Sequence, residues 1–298
     1  MKIKIVPAVF FIAIAFFLLF NPINDAFKDY LISKYYNPPL YLLYANISNI
    51  KIDALSVISI KVVNGKEEVL FEKNADKILP IASLTKLMTA FVIFEYPKQY
   101  DLSQAVTVSD DVFEINGDYG FEEKEFLRKD LLSAMLIESN NDAAYALAQN
   151  VPFEEDGMEN FVKLMNNKAE ELNLGKTVFA DPTGLSGNYS TAREIAELSK
   201  IILYNHPDIL KISVEPSFNI SDLSNEFNYS AVNKNELLNK LPNIVGGKTG
   251  WTIISGGCIV LIQENEKEEY FINVILGTDS QESRFEEMEK LLKKTDDN

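Results

Sequence analysis

The chain has 298 residues, 47% of them hydrophobic and 24% charged, enough to bury a sizeable core and outside the compositional range of disordered proteins. A net charge of -16 argues against a nucleic-acid partner, because phosphate backbones are bound through clustered Lys and Arg, and no basic stripe is present. One cysteine, Cys258, and one histidine, His206, exclude an internal disulfide framework and a thiolate or imidazole zinc cluster. Neither a metal nor a cofactor is therefore expected.

Lys2 and Lys4 precede an apolar run over 5–20, interrupted only by Pro7, the pattern of a secretory signal peptide or N-terminal membrane anchor within 1–26. The two lysines stay inside and Asp25 and Asp29 follow the run, so the remainder is expected outside the cytoplasm. No small-residue cleavage site follows the run, which favours an uncleaved anchor, although spans of about 20 apolar residues are usual. Residues 27–52, rich in Tyr, Pro and Asn without periodicity, read as a linker, and the folded domain is expected over 53–294.

Residues 54–63 alternate apolar and polar positions, Asn64-Gly65 supplies a tight turn and 67–71 returns, which predicts a hairpin. Residues 81–95 follow a helical pattern that is almost wholly apolar, so this helix belongs in the middle of the domain. Helices are predicted over 125–136 and 141–149, on either side of a polar break at Glu138, Ser139 and Asn140, and again over 159–172 and 192–204. Strands are predicted over 246–250, 252–263 and 270–276, with 264–269 as a hairpin loop. A last amphipathic helix follows, with Phe285, Met288, Leu291 and Leu292 as its apolar stripe. Strands at both ends with helices between them predict an α+β domain, an α/β sandwich with one antiparallel sheet and an inserted helical region.

Three short elements can place a hydroxyl, an ammonium and backbone donors around one acyl carbon. Ser83-Leu84-Thr85-Lys86 opens the apolar helix just after Pro80, so the Ser83 hydroxyl and N–H sit at the positive end of the helix dipole. Lys86 lies one turn further on the same face, and its apolar surroundings should lower its pKa far enough for it to act as a general base. Ser139-Asn140-Asn141 puts a hydroxyl and a carboxamide at the break between two helices. Lys248-Thr249-Gly250, inside Gly246-Gly247-Lys248-Thr249-Gly250-Trp251, is a glycine-rich strand of the kind that a ligand backbone approaches closely. Each has an ordinary reading when taken alone: a helix cap with a solvated lysine, a second helix cap, and a glycine bulge beside a surface lysine.

Together and in this order they are the S-x-x-K, S-x-N and K-T-G set of penicillin-binding proteins and class A β-lactamases. The flanking strings extend the likeness: Asn74-Ala75-Asp76, Ile81-Ala82 ahead of Ser83, Glu138 through Ala143, Asp181-Pro182-Thr183-Gly184-Leu185 and Tyr189-Ser190-Thr191-Ala192-Arg193. From about residue 53 to 285 the chain resembles the low-molecular-mass D-alanyl-D-alanine carboxypeptidases, serine peptidases of the penicillin-binding type. The resemblance implies the β-lactamase/transpeptidase-like fold. It also implies Ser83 as nucleophile, Lys86 as its base and Ser139 as the relay of a proton to the departing D-alanine. Asn141 would hold the substrate amide, and Lys248 and Thr249 the terminal carboxylate, with Gly250 between them and Trp251. The backbone N–H groups of Ser83 and Trp251 would form the oxyanion hole. The implied partners are peptidoglycan stem peptides ending in D-Ala-D-Ala and, as covalent inhibitors, β-lactam antibiotics, with the membrane engaged through the N-terminal segment.

Many relatives carry a β-rich domain after the catalytic one; here the sequence ends at Asn298, shortly after the last helix, and no such domain is expected. Some members have an arginine where this chain reads Asn233-Lys234-Asn235, which makes Lys234 a candidate to assist carboxylate binding. A class A β-lactamase needs a glutamate to activate the deacylating water, and the nearest stretch has Ala169 at that offset, ahead of Glu170-Glu171-Leu172-Asn173. A D,D-endopeptidase uses the same motifs, and a non-catalytic cell-wall binding module would ordinarily have lost Ser83 or Lys86. His206 reads as a loop or helix-end residue, and Cys258 as a small buried residue.

Overall fold

The computed structural model describes residues 50–109, 120–150, 157–185 and 187–295. The chain divides into two compact units, Met1–Lys51 and Ile52–Asn298. The apolar N-terminal run and all but the end of the expected linker lie outside the described residues. Among the described residues no helix is long and apolar enough to cross a membrane.

In the second unit, β1 (Ser56–Val63) and β2 (Lys66–Lys73) form the expected hairpin. Asn64 and Gly65 both have positive φ, 49° and 76°, the backbone that a two-residue hairpin turn demands. After β3 (Leu79–Pro80) comes a 3-10 turn, Ala82–Leu84, and then α1 (Thr85–Glu95). Next are β4 (Ala105–Thr107) and β5 (Glu125–Leu127), followed by α2 (Arg128–Ile137), α3 (Asn141–Gln149) and α4 (Gly157–Glu171). The chain continues through β6 (Tyr189–Ser190), α5 (Ala192–Asn205), α6 (Pro207–Ser213), β7 (Ser217–Ser221) and β8 (Asn228–Val232). It ends with β9 (Ile244–Thr252), β10 (Gly256–Glu264), β11 (Tyr270–Thr278) and α7 (Ser283–Thr295).

The main sheet runs β2-β1-β11-β10-β9, all antiparallel, so the N-terminal hairpin pairs directly with the last strand of the C-terminal meander. The first and last strands of this unit close one sheet, with α1–α6 between them in sequence and α7 after them, in keeping with the α+β reading. β10 and β11 are buried along nearly their whole length because helices cover both faces; α5 and α7 both pack on β11. Every α1 residue from Thr85 to Ile93 is buried, so this helix is enclosed on all sides. Each fully buried Leu, Met, Phe or Ile side chain there contributes roughly 1.5–3 kcal/mol, a reserve against which a buried lysine can be tolerated.

Two elements differ from the sequence reading. Residues 125–127 are strand rather than helix: Phe126 pairs with Val106 in the β4–β5 hairpin and packs on Phe121, a long-range contact that overrides the helical periodicity continuing into α2. The turn between β9 and β10 falls at 253–255, where Ile253 and Ile254 are 90% and 78% exposed despite their strand-forming character. Thr252 and Ser255 tie that turn through reciprocal backbone and hydroxyl hydrogen bonds. His206 sits at the α5–α6 junction with Nε2 2.7 Å from Glu95 Oε1, and Cys258 is fully buried in β10.

Candidate active site

The 3-10 turn carrying Ser83 packs against β9, the free edge of the main sheet. Ala82, immediately before Ser83, has φ 47°, a left-handed backbone that costs a non-glycine residue about 1–2 kcal/mol. The turn is clamped from two sides by glycines. A Cβ on Gly184 would lie 2.0 Å from the Ala82 carbonyl oxygen, and one on Gly250 would lie 2.8 Å from Ser83 N and 3.0 Å from Ala82 Cβ. Only bare backbone can approach so closely, which accounts for glycine at the third position of Lys248-Thr249-Gly250.

Lys86 is fully buried on α1, and its Nζ lies 3.2 Å from Ser83 Oγ. The same nitrogen donates to Asn141 Oδ1 at 2.8 Å and to the Thr183 carbonyl at 2.6 Å. Burial lowers the amine to about 7, against an opposing pull from Asp181. A fall of that size disfavours the charged form by about 5 kcal/mol. A neutral amine has two hydrogens and one lone pair. The two carbonyl acceptors can take both hydrogens, which leaves the lone pair for the Ser83 hydroxyl.

Asn140 caps α3 by accepting from Ala143 N at 2.9 Å, so the capping duty expected of this break falls on the middle residue and leaves its neighbours for the site. Asn141 meets Lys86 as described. Ser139 has φ 69°, a second strained non-glycine position beside the site. Glu138, nearly buried, accepts a hydrogen bond from Tyr229, and Lys234 Nζ is 3.9 Å from its carboxylate.

Lys248 and Thr249 are 3% and 5% exposed on β9, while Trp251 is 44% exposed. Burial holds Lys248 well below the usual lysine range, and the nearby charges of Lys86, Arg284 and Lys234 push it the same way. Among the described residues no carboxylate pairs with Lys248, whose Nζ donates to the Thr249 carbonyl at 3.0 Å. The site thus gathers buried basic groups that disfavour one another's charge, a strain that a bound anion would relieve.

Sequence reasoning did not assign the 181–184 turn, Gly184 or Arg284. Asp181 Oδ1 accepts from Thr183 N, Thr183 Oγ1 and Gly184 N, each at 2.6 Å, while Asn188 Nδ2 donates to Oδ2 at 2.8 Å. Thr89, one turn beyond Lys86, donates to the Pro182 carbonyl at 2.7 Å. The Asp-Pro-Thr-Gly string therefore builds a rigid turn that presents the Thr183 carbonyl to Lys86. The other strings are structural: Arg193 pairs with Glu72 and Asp76, and Thr191 caps α5. Ala169 is buried on α4, and Glu171 is exposed and paired with Lys168, so neither brings a carboxylate to the site.

An antiparallel sheet closed from both chain ends, a helical insert and a Ser-Lys pair at the sheet edge define a protein of the β-lactamase/transpeptidase fold. The family model for D-alanyl-D-alanine carboxypeptidases matches residues 44–280, and the chain belongs to that family. It is 35% identical over 198 residues to a D-alanyl-D-alanine endopeptidase of Pseudomonas aeruginosa, covering 65% of this chain and 62% of the relative. It is 34% identical over 254 residues to the D-alanyl-D-alanine carboxypeptidase DacC of Escherichia coli, covering 81% and 60%. The chain spans only these 60–62% of the two relatives' own length. Among solved structures, penicillin-binding protein D2 of Listeria monocytogenes in its cefotaxime-bound form matches at 31% identity with a TM-score of 0.70, over 83% of this chain and 98% of that one.

Proposed function

We propose that this protein is a serine D-alanyl-D-alanine carboxypeptidase that removes the terminal D-alanine from peptidoglycan stem peptides through an acyl-enzyme on Ser83. The observation that carries the reading is the Lys86 amine, buried, lowered to about 7 and 3.2 Å from Ser83 Oγ. In this reading Lys86 takes the Ser83 proton as Oγ attacks the carbonyl of the penultimate D-alanine. The oxyanion is held by the N–H groups of Ser83 and Trp251, on the two backbones that Gly250 brings together. Collapse of the tetrahedral intermediate breaks the peptide bond, and Ser139 delivers a proton to the departing amine. Asn141 orients the substrate amide, while Lys248 and Thr249 receive the terminal carboxylate. Water then attacks the ester and regenerates Ser83. A β-lactam enters the same path and acylates Ser83, as the antibiotic-bound relative suggests.

The full-length chain, kept in mild detergent, tests this with a diacetyl-Lys-D-Ala-D-Ala tripeptide and an assay for released D-alanine. Release is expected from the wild type and none from Ser83→Ala. Absence of both release and penicillin labelling of the wild type would overturn the reading. A second reading, cleavage of peptidoglycan cross-links, is favoured by the endopeptidase relative; penicillin labelling without D-alanine release, together with hydrolysis of a cross-linked dimer, identifies it. We also propose that the chain is exported and held at the membrane by residues 1–26. Fractionation of cells that express a C-terminally tagged chain tests this, and a tag found in the cytosol refutes it.

A further inference from the structure

Arg284 is the second residue of α7, is only 3% exposed, and was not among the residues that the motifs single out. Its Nη1 donates to the Gly250 carbonyl at 2.9 Å, its Nε has no partner, and its guanidinium lies 4.7 Å from the centre of the Phe285 ring. Among the described residues it forms no ion pair. Burial lowers it to about 10, so it remains charged at neutral pH. A buried, charged guanidinium with a single carbonyl partner is a costly arrangement that asks what the charge is for.

The route it takes is built for the purpose. Gly257 on β10 stands opposite Trp251 on β9. A Cβ at Gly257 would meet Thr278 Oγ1 at 2.3 Å, the Ser280 carbonyl at 2.5 Å and Arg284 Cβ at 3.1 Å, so the start of α7 closes onto bare backbone there. Across that gap Arg284 reaches the Gly250 carbonyl. The peptide that follows Gly250 is trans, as are all those described, and a trans peptide points its N–H opposite to its C=O. The other end of the peptide held by Arg284 is therefore the Trp251 N–H. Gly250 itself packs on the Ser83 turn so closely that a Cβ there would lie 2.8 Å from Ser83 N.

We propose that Arg284 is a positioning residue that fixes and polarises the Gly250–Trp251 peptide, so that the Trp251 N–H meets the oxyanion formed on Ser83 as a strengthened, pre-aimed donor. A hydrogen bond accepted by a carbonyl makes the N–H of the same amide a better donor, and the effect is larger where the surroundings are dry. The positive charge thus acts on the developing oxyanion through one peptide unit, without touching substrate. This inference rests on the proposed acyl-enzyme chemistry of Ser83.

The test is the infrared difference spectrum of the acyl-enzyme formed by the full-length chain with benzylpenicillin carrying carbon-13 at the β-lactam carbonyl. Stronger oxyanion-hole donors lower the frequency of the ester carbonyl. In Arg284→Met the carbonyl band should move to higher wavenumber. The acylation rate constant should fall about tenfold, part of the 10²–10³ lost when an oxyanion donor is removed outright, with the pre-acylation binding constant unchanged. A folded Arg284→Met with the wild-type band overturns the proposal, whatever its thermal stability or rate, because a residue that only stabilised the fold would leave the oxyanion hole and that band unchanged. Should methionine prevent folding, Arg284→Gln, which can keep the hydrogen bond and loses the charge, is read in the same way. A smaller upward shift supports the proposal, and the wild-type band overturns it. A wild type that forms no acyl-enzyme removes the parent reading and this inference with it, whereas normal wild-type acylation with an unshifted variant removes this inference alone.

Discussion

The rate of Ser83 acylation should follow the protonation of Lys86, and the structure fixes both where the change falls and what moves it. With the amine at about 7, about half of the chains carry a neutral Lys86 at neutral pH, about a tenth at pH 6 and about a hundredth at pH 5. Acylation by a fluorescent penicillin, followed in stopped flow under pseudo-first-order conditions, should therefore fall about tenfold per pH unit below 7 and level off above 8. Asp181 is the charge that opposes the lowering, so Asp181→Asn should take the amine further down and shift the acid limb to lower pH. Asparagine keeps one carbonyl oxygen for the 183–184 amides, which lets the turn persist while the charge is removed. Lys86→Arg supplies the opposite extreme: its side chain stays protonated, and the rate should drop by about 10²–10⁴ with no acid limb left to observe. A wild-type rate still rising above pH 9 would refute burial as the source of the neutral base. An Asp181→Asn limb that moves to higher pH would refute the electrostatic link.

Substitutions at three further positions test the geometry. Gly250→Ala puts a methyl group 2.8 Å from Ser83 N, so penicillin labelling should be lost while the thermal midpoint falls by the equivalent of about 1–3 kcal/mol, and labelling at the wild-type rate would contradict the close approach. Gly184→Ala combines φ 90° with a Cβ 2.0 Å from the Ala82 carbonyl, so urea denaturation should show a loss of at least about 2 kcal/mol; a neutral result would mean that the turn is not clamped. Ser139→Gly should be more stable than Ser139→Ala by about 1 kcal/mol, because only glycine relieves φ 69°, while both should lose D-alanine release; equal stabilities would deny the strain.

Most side chains of the candidate site were picked out in the sequence, whereas the Thr183 carbonyl and Arg284 were not. Ser83, Lys86, Asn141 and Lys248 stand out because a lysine in an apolar helix and a lysine beside glycines in a strand both need explaining. The expected loss of Lys86 charge follows from Leu87, Met88 and their neighbours being buried. The Thr183 carbonyl leaves no trace in a sequence, since any residue supplies one, and its supporting Asp181 reads as an ordinary turn residue. Arg284 hides in an amphipathic helix read by its stripe of Phe285, Met288, Leu291 and Leu292; a charge next to the first stripe residue was the available signal. For the fold, Asn64-Gly65 and the polar loop at 264–269 mark two hairpins directly. At Ile253 and Ile254 propensity misleads, because the turn is set by the Thr252–Ser255 hydrogen bonds while both isoleucines are left in solvent.

Two strained backbone positions and three buried basic groups of this domain meet around the candidate site. Ala82 and Ser139 adopt left-handed backbone beside the proposed nucleophile and proton relay, and Lys86, Lys248 and Arg284 are buried without an ion pair among the described residues. Each feature alone lowers stability, and none is needed to build the sheet or to pack α1. They become intelligible once a ligand is considered that brings a carboxylate to Lys248 and a carbonyl to Ser83. The carboxylate supplies the missing counter-charge, which raises the hold of Lys248 on its proton. The same cations that cost the free protein stability are thus arranged so that the gain from relieving them arrives only when an anionic acyl donor is correctly seated.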